Sequence, residues 1–124
     1  FPRYPIYIRG VPEYIAQLLD KLVANAVEFC IEQEPIKVYC RTLRDHAILK
    51  VSNAGPFLPD EMKERIFDSM ISVRSQERQK QPHLGMGLHI ARLITEFHGG
   101  QIRAENRKDR EGVIITVVIP LYYD

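Results

Sequence analysis

Two glycines separated by a single residue precede a predicted helix in the second half of the chain. They belong to a run formed by Leu84, Gly85, Met86, Gly87 and Leu88. Glycines at the start of a helix let the backbone approach an anion closely, and the first N–H groups of the helix point toward that anion. The run therefore indicates a site for an anion such as a phosphate, although a Gly-x-Gly pattern alone is also found in plain loops.

A polar segment lies directly before this run. Residues 75–82 contain no hydrophobic residue and predict a mobile loop. The basic side chains in and next to this loop are Arg74, Arg78, Lys80 and His83. Each of them alone is typical of a solvent-exposed residue, but together they carry the charge that a lid over an anion would need.

The first predicted helix holds an asparagine at an unfavourable position. Asn25 stands between two alanines inside an amphipathic pattern. Asparagine is a poor residue for a helix interior because its side chain competes for backbone hydrogen bonds. Lys21, Glu28 and Phe29 stand beside the apolar stripe at i−4, i+3 and i+4 from it. These residues alone leave open whether Asn25 is solvated, satisfies one core hydrogen bond or belongs to a functional site.

Another polar side chain stands at the end of a predicted strand. Asn53 follows an apolar run and comes shortly before Gly55 and Pro56, which predicts a sharp turn. A polar group at such a point can hydrogen-bond a flat heterocycle that lies against apolar residues. Taken alone, the segment predicts a turn and nothing more.

The helices that position these residues follow from hydrophobic periodicity. A first helix is predicted from Pro12, and a second from near Gly87 to a stop at Gly99 and Gly100. Residues 59–67 predict a short helix with acidic residues in its first turn. The apolar positions of the first helix are Ile15, Leu18, Leu19, Leu22, Val23, Ala26, Val27 and Cys30.

The strands lie between and after the helices. Turns are predicted at residues 44–46 and 107–112, so that two hairpins form. The order of the elements predicts an α+β fold with helices layered on a mostly antiparallel sheet. The predicted strands are residues 6–9, 36–43, 47–52, 101–106 and 113–119.

Composition limits the classes of protein to consider. The 124 residues are 45% hydrophobic and 27% charged, which suits one ordinary globular domain. The formal net charge of +1 lacks the basic excess of a typical nucleic-acid binder. No apolar run approaches the roughly 20 residues that span a bilayer. Cys30 and Cys40 predict two reduced thiols, and the start at Phe1 without Met suggests a fragment of a longer protein.

Taken together, the polar segments resemble the N, G1 and G2 boxes of the GHKL superfamily, which includes gyrase, Hsp90, histidine kinases and MutL. Residues 22–26 resemble the N box, 51–59 the G1 box and 84–88 the G2 box. Residues 66–70 resemble the F box of sensor kinases, and 112–120 resemble the last strand of the family. The resemblance covers essentially the whole chain. It implies the catalytic ATP-binding domain of a bacterial sensor histidine kinase.

The family's Bergerat fold would be a two-layer α/β sandwich. It has a mixed, mostly antiparallel sheet of about five strands covered by about three helices. The resemblance further implies ATP or ADP with Mg²⁺ as cofactors. Asn25 matches the magnesium ligand, and Asn53 stands where the family has an Asp that accepts from the adenine amino group. Asn53 could accept through its carbonyl oxygen and also donate to a ring nitrogen.

The same resemblance assigns roles to further residues. Phe29 would stack on adenine, with Leu58, Leu88 and Ile115 lining the base pocket, and catalysis would involve Asn25 and Lys21. The implied nucleotide-binding residues are Asn25, Glu28, Phe29, Asn53, Gly55, Leu58, Arg74, His83, Leu84, Gly85, Met86, Gly87, Leu88 and Ile115.

Four positions depart from the family pattern. Lys21 replaces an acidic or amide residue, and Glu28 replaces a basic residue that touches phosphate. Phe57 and His83 each replace a glycine. A lysine ammonium cannot activate water as a general base at neutral pH without a large pKa shift, so hydrolase chemistry is disfavoured. Phosphoryl transfer relies on positioning and charge neutralisation and tolerates the change.

Lys21 also affects the implied metal site. A dication on Asn25 would lie about 6 Å from the ammonium and be repelled by about 5 kcal/mol at an effective dielectric near 20. The triphosphate can offset this repulsion. Glu28 could pair with Lys21 or lie toward the metal, and the two residues would then redistribute the usual charges around the phosphates.

The expected function is transfer of the γ-phosphoryl group of Mg-ATP to a histidine on an adjoining dimerisation domain. That acceptor is expected outside this chain, because no histidine here lies on a dimerisation helix. A response regulator would meet the full-length protein, which would be an inner-membrane sensor with this domain at its cytoplasmic end. Neither nucleic acid nor membrane contact is expected of the domain.

Two alternatives remain open. One is a catalytically impaired nucleotide-binding module that signals through lid ordering or partner docking, and the other is a GHKL ATPase. Residues 67–74 also resemble sensor kinases associated with proteobacterial dedicated sortase systems.

Overall fold

The computed structural model of the chain describes residues 5–31, 34–68 and 87–122. Two helices pack side by side on one antiparallel sheet, and all of these elements contribute to one core. In chain order the elements are α1 (Pro12–Phe29), β1 (Lys37–Leu43), β2 (His46–Ala54), the 3-10 helices η1 (Asp60–Met62) and η2 (Arg65–Phe67), α2 (Gly87–Phe97), β3 (Gln101–Asn106) and β4 (Gly112–Pro120).

The sheet has the strand order β1-β2-β4-β3, and each neighbouring pair is antiparallel. The predicted α+β architecture is confirmed, but the described residues form four strands rather than about five. The strand predicted over residues 6–9 is extended chain outside the sheet, where the Tyr7 carbonyl accepts a hydrogen bond from the Tyr122 N–H at 2.8 Å.

Helix α1 begins at Pro12, where the missing N–H leaves no intrahelical bond unmade. Leu18, Leu22 and Ala26 are buried, at successive intervals of four residues. The wider apolar stripe predicted from periodicity is wrong on one side, because Leu19, Val23 and Val27 are 38%, 37% and 58% exposed. Each of these follows a buried residue by one position, which turns it by about 100° from the buried line of the helix. Leu19 and Val23 border an open apolar groove that Val38 of the sheet also lines.

The C-terminal end of α2 is joined to the start of α1 through one imidazole. His98 donates from Nδ1 to the Ile94 carbonyl at 2.7 Å, and its Nε2 accepts from the Val11 N–H at 3.1 Å. Gly99, with φ of +77°, then ends the helix in the left-handed region that glycine favours. This contact fixes the ends of the helix pair that lie away from Gly87.

Two local predictions need correction. The short helix expected over residues 59–67 is instead the pair of 3-10 helices η1 and η2, in keeping with the high cost of nucleating an α-helix in so few residues. The first hairpin turn consists of Arg44 and Asp45, since His46 already pairs with Leu43. Across the described residues, none of the helices has the length and hydropathy needed to cross a membrane.

Candidate functional site

One side of α1 faces the beginning of α2. The side chain of Lys21 reaches Gly87, where a Cβ would lie 3.9 Å from the Lys21 Cδ. Asn25 and Glu28 follow Lys21 by one and two helical turns on the same side of α1. All three residues are half-buried. The structure therefore places Lys21, one helical turn before Asn25, near the first residue of α2.

The N-terminal end of α2 suits an anion. Gly87 is its first residue, and Leu88 directly after it is 7% exposed and anchored in the core. The first N–H groups of a helix have no partner within the helix and carry about half a positive charge between them. The stem of Lys21 lies near the same end, so its ammonium and the helix terminus would both attract an anion bound there.

Asn53 lies at the other end of the predicted site, on β2 opposite Val113 of β4. It is 3% exposed, and its Nδ2 donates to the Ala54 carbonyl at 3.1 Å. One amide N–H is therefore already used inside the protein. The amide also has a second N–H and a carbonyl oxygen, so both roles predicted for Asn53 stay predictions.

The turn after β2 is held against the end of α1. The Ala54 carbonyl accepts from the Ile31 N–H at 2.8 Å, and the Gly55 N–H donates to the Glu111 carbonyl at 3.3 Å. A Cβ on Gly55 would lie 2.6 Å from the carbonyl oxygen of Phe29. Glycine is required here because the two backbone segments leave no room for a side chain.

The β3–β4 turn holds the Gly55 turn through the carbonyl of Glu111. Arg107 donates to both carboxylate oxygens of Asp109, at 3.0 and 2.6 Å, and these hydrogen bonds lower the pKa of Asp109 to about 2. The Arg107 N–H also donates to the Gly112 carbonyl at 2.9 Å. The turn is thus closed on itself, and it carries the Glu111 carbonyl that meets Gly55.

The apolar residues predicted for the base pocket all belong to the buried core. Leu58, Leu88 and Ile115 are 3%, 7% and 4% exposed and belong to the same core cluster. They derive from three separate elements, namely the loop before η1, the first turn of α2 and the middle of β4. Phe29 is half-buried at the last position of α1.

Asn106 is a residue of the site that the sequence gave no reason to select. Its Oδ1 accepts from the Leu58 N–H at 2.7 Å, and its Nδ2 donates to the Leu58 carbonyl at 2.9 Å. The side chain thus binds the backbone of Leu58 as a neighbouring strand would. The only available signal was an amide at the end of a predicted strand, which is too general to select it.

We expect Asn106→Ala to weaken the binding of an adenine nucleotide several-fold and to destabilise the fold by about 1–3 kcal/mol, because it leaves both backbone groups of Leu58 without partners. Urea unfolding and nucleotide titration would measure the two effects. Gln101→Ala, at the exposed start of the same strand, is the matched control. Unchanged affinity in Asn106→Ala would show that the position of Leu58 does not matter for binding.

Five predicted site residues lie outside the described residues and stay predictions, namely Arg74, His83, Leu84, Gly85 and Met86. Within the described ranges no group of three His, Cys, Asp or Glu side chains could hold a metal ion. A cation at this site would therefore combine few protein oxygens with those of a bound phosphate, as Mg²⁺ commonly does.

Known proteins resemble this chain over most of its length. Residues 10–123 match the family described as Histidine kinase-, DNA gyrase B-, and HSP90-like ATPase. The sensor protein ChvG of Agrobacterium fabrum is 37% identical over 108 residues, which cover 86% of this chain but 18% of that protein. The chain thus spans only a small part of this relative's length.

Solved structures share the fold. The catalytic domain of histidine kinase ThkA superposes with a TM-score of 0.77 at 35% identity, covering 91% of this chain and 70% of that chain. Histidine kinase ThkA in complex with response regulator protein TrrA gives a TM-score of 0.69 at 34% identity, covering 87% and 28%. With a family match over nearly its whole length and this shared fold, the chain belongs to the histidine kinase-, DNA gyrase B- and HSP90-like ATPase family and is similar within it to histidine kinase catalytic domains.

Proposed function

We propose that this chain binds Mg-ATP and transfers the γ-phosphoryl group to a histidine on an adjoining dimerisation domain. The observation that carries the proposal is the approach of Lys21, one turn from Asn25, to the N-terminus of α2. The adenine would lie toward the buried Asn53, whose amide oxygen can accept from the exocyclic amino group. The phosphates would then lie near the positive charge of Lys21 and the start of α2, and the base near the Asn53 amide.

The residues of the site suit transfer better than hydrolysis. The Asn25 amide oxygen would hold Mg²⁺, which neutralises charge on the phosphates when bound. Backbone N–H groups at Gly87 and the Lys21 ammonium would hold the phosphate oxygens. An ammonium group has donors and no acceptor, so Lys21 does not supply the base that water activation requires.

Partners and location extend the same proposal. The ThkA structure pairs a histidine kinase with a response regulator protein, and we expect this chain to serve such a regulator through its longer protein. The domain would lie at the cytoplasmic end of an inner-membrane sensor. An association with dedicated sortase systems stays a prediction from residues 67–74 alone.

The test of the proposed function is self-labelling of the longer protein, with its dimerisation domain, from γ-labelled ATP. We expect acid-labile, base-stable phosphate on that protein, as phosphohistidine requires. Tight nucleotide binding without labelling would contradict transfer and favour a binding module, which the departures at Lys21 and Glu28 suggest as the second candidate. Steady release of phosphate by this chain would favour an ATPase.

A further inference from the structure

One carboxylate oxygen of Glu28 is buried without a hydrogen-bond donor among the described residues. Its Oε1 is fully buried and accepts no hydrogen bond from any described part of the chain. A buried charged group is normally paired or bound to a metal, because leaving it without a partner forfeits its solvation. The described residues supply no donor to this oxygen, so we expect a bound ligand or metal ion to satisfy it.

The place of Glu28 on α1 narrows the choice of partner. It follows Lys21 by seven residues, which returns it to the same side of the helix, and it follows Asn25 by three, at neighbouring positions about 5–6 Å apart. Lys21, on that side, lies near the N-terminus of α2, since its Cδ is 3.9 Å from the position that a Cβ on Gly87 would take. The carboxylate thus lies on the side of α1 that carries Lys21 and the proposed metal ligand Asn25.

An ion pair with Lys21 does not account for this carboxylate. Within the described ranges the salt bridges join other residues, and none connects Glu28 to Lys21. A phosphate would not satisfy Glu28 either, since two anions repel each other. A divalent cation would, because carboxylate and amide oxygens are the protein ligands that Mg²⁺ accepts beside substrate phosphates.

We propose that Glu28 supplies a second oxygen ligand, beside Asn25, to the divalent cation that enters with the nucleotide. The inference rests on the proposed binding of Mg-ATP and adds an anionic ligand to it. Lys21, against the start of α2, then supplies the positive charge that the phosphates meet on this side of α1. The two charges balance each other, so nucleotide affinity in this chain should depend strongly on the metal.

The test measures linkage between metal and nucleotide rather than activity. A non-hydrolysable ATP analogue is titrated into the 124-residue chain by calorimetry, once with saturating Mg²⁺ and once with EDTA. The coupling between metal and nucleotide is the ratio of the dissociation constant in EDTA to the dissociation constant with Mg²⁺. We expect Glu28→Gln to lower this ratio about tenfold or more, and to strengthen metal-free binding, since a negative charge beside the phosphates is removed.

Two further variants separate ligation from charge. Glu28→Asp keeps the charge but withdraws the oxygen by one methylene, so it should lose part of the coupling without any gain in metal-free affinity. Glu13→Gln removes an exposed carboxylate from the first turn of the same helix and should change neither constant. Mn²⁺ electron paramagnetic resonance with the analogue should show an altered metal environment in Glu28→Gln.

The outcomes distinguish this inference from the proposed function. A purely repulsive Glu28 would give Glu28→Gln stronger binding in both conditions by the same factor, leaving the ratio unchanged and overturning the inference alone. An unaltered Mn²⁺ spectrum would overturn it as well. A wild-type chain that binds the analogue in neither condition would overturn the proposed function and this inference with it.

Discussion

Replacing Asn25 by alanine should reduce Mg²⁺-dependent binding and phosphoryl transfer by about 100-fold or more, the scale seen when one group that stabilises developing charge is removed. Asn25 is half-buried and follows Lys21, whose side chain lies near the start of α2, by one helical turn. Its amide oxygen is the implied metal ligand, and alanine offers none. Helix propensity favours alanine over asparagine, so α1 should persist in the variant.

The measurements are calorimetric titration of the chain and self-labelling of the longer protein, each alongside a melting curve. Gln17→Ala is the matched control, because it removes an exposed side-chain amide from the same helix. We expect it to bind and transfer as the wild type does. Wild-type binding by a folded Asn25→Ala variant would show that the metal and phosphates are held elsewhere.

Gly55→Ala should weaken nucleotide binding about tenfold and destabilise the fold by about 1–3 kcal/mol, as overpacking of a filled site does. The added Cβ would lie 2.6 Å from the Phe29 carbonyl oxygen and 3.2 Å from the Asn53 Nδ2. The end of α1 or the turn must therefore move. Either shift displaces a residue predicted to contact adenine.

Urea unfolding and titration with an ATP analogue would separate the two effects. Gly99→Ala is the control, because its φ of +77° should cost about 1–2 kcal/mol in an L-residue at the far end of α2. It should destabilise the chain without weakening binding. Equal affinities in the two variants would show that the turn at Gly55 does not shape the pocket.

The elements that the sequence predicts well are those defined by local pattern. The start of α1 at Pro12 and the start of α2 at Gly87 both agree with the structure, as do the two hairpins. The predicted strand over residues 6–9 fails because joining a sheet depends on a partner edge, which no local pattern encodes. Leu19 and Val23 were expected inside because periodicity reports an apolar side but not the width of the layer that covers it.

In the candidate site too, residues in sequence motifs could be selected and residues placed by tertiary packing could not. Lys21, Asn53, Gly55 and Gly87 were selected from their place in family motifs. The structure places Lys21 near Gly87 and, separately, the Gly55 turn against Asn53 and the end of α1. Asn106 could not be selected, because its hydrogen bonds join Leu58 across 48 positions of sequence. The buried oxygen of Glu28 could not be foreseen either, since burial of a single atom depends on tertiary packing.

The most direct test of the central claim is calorimetric titration of this chain with a non-hydrolysable ATP analogue and Mg²⁺, with the GTP analogue in parallel. The account predicts saturable one-to-one binding below about 1 mM for the adenine nucleotide and weaker binding of the guanine nucleotide, whose O6 would face the Asn53 oxygen. Absence of saturable binding by the folded chain would contradict the account.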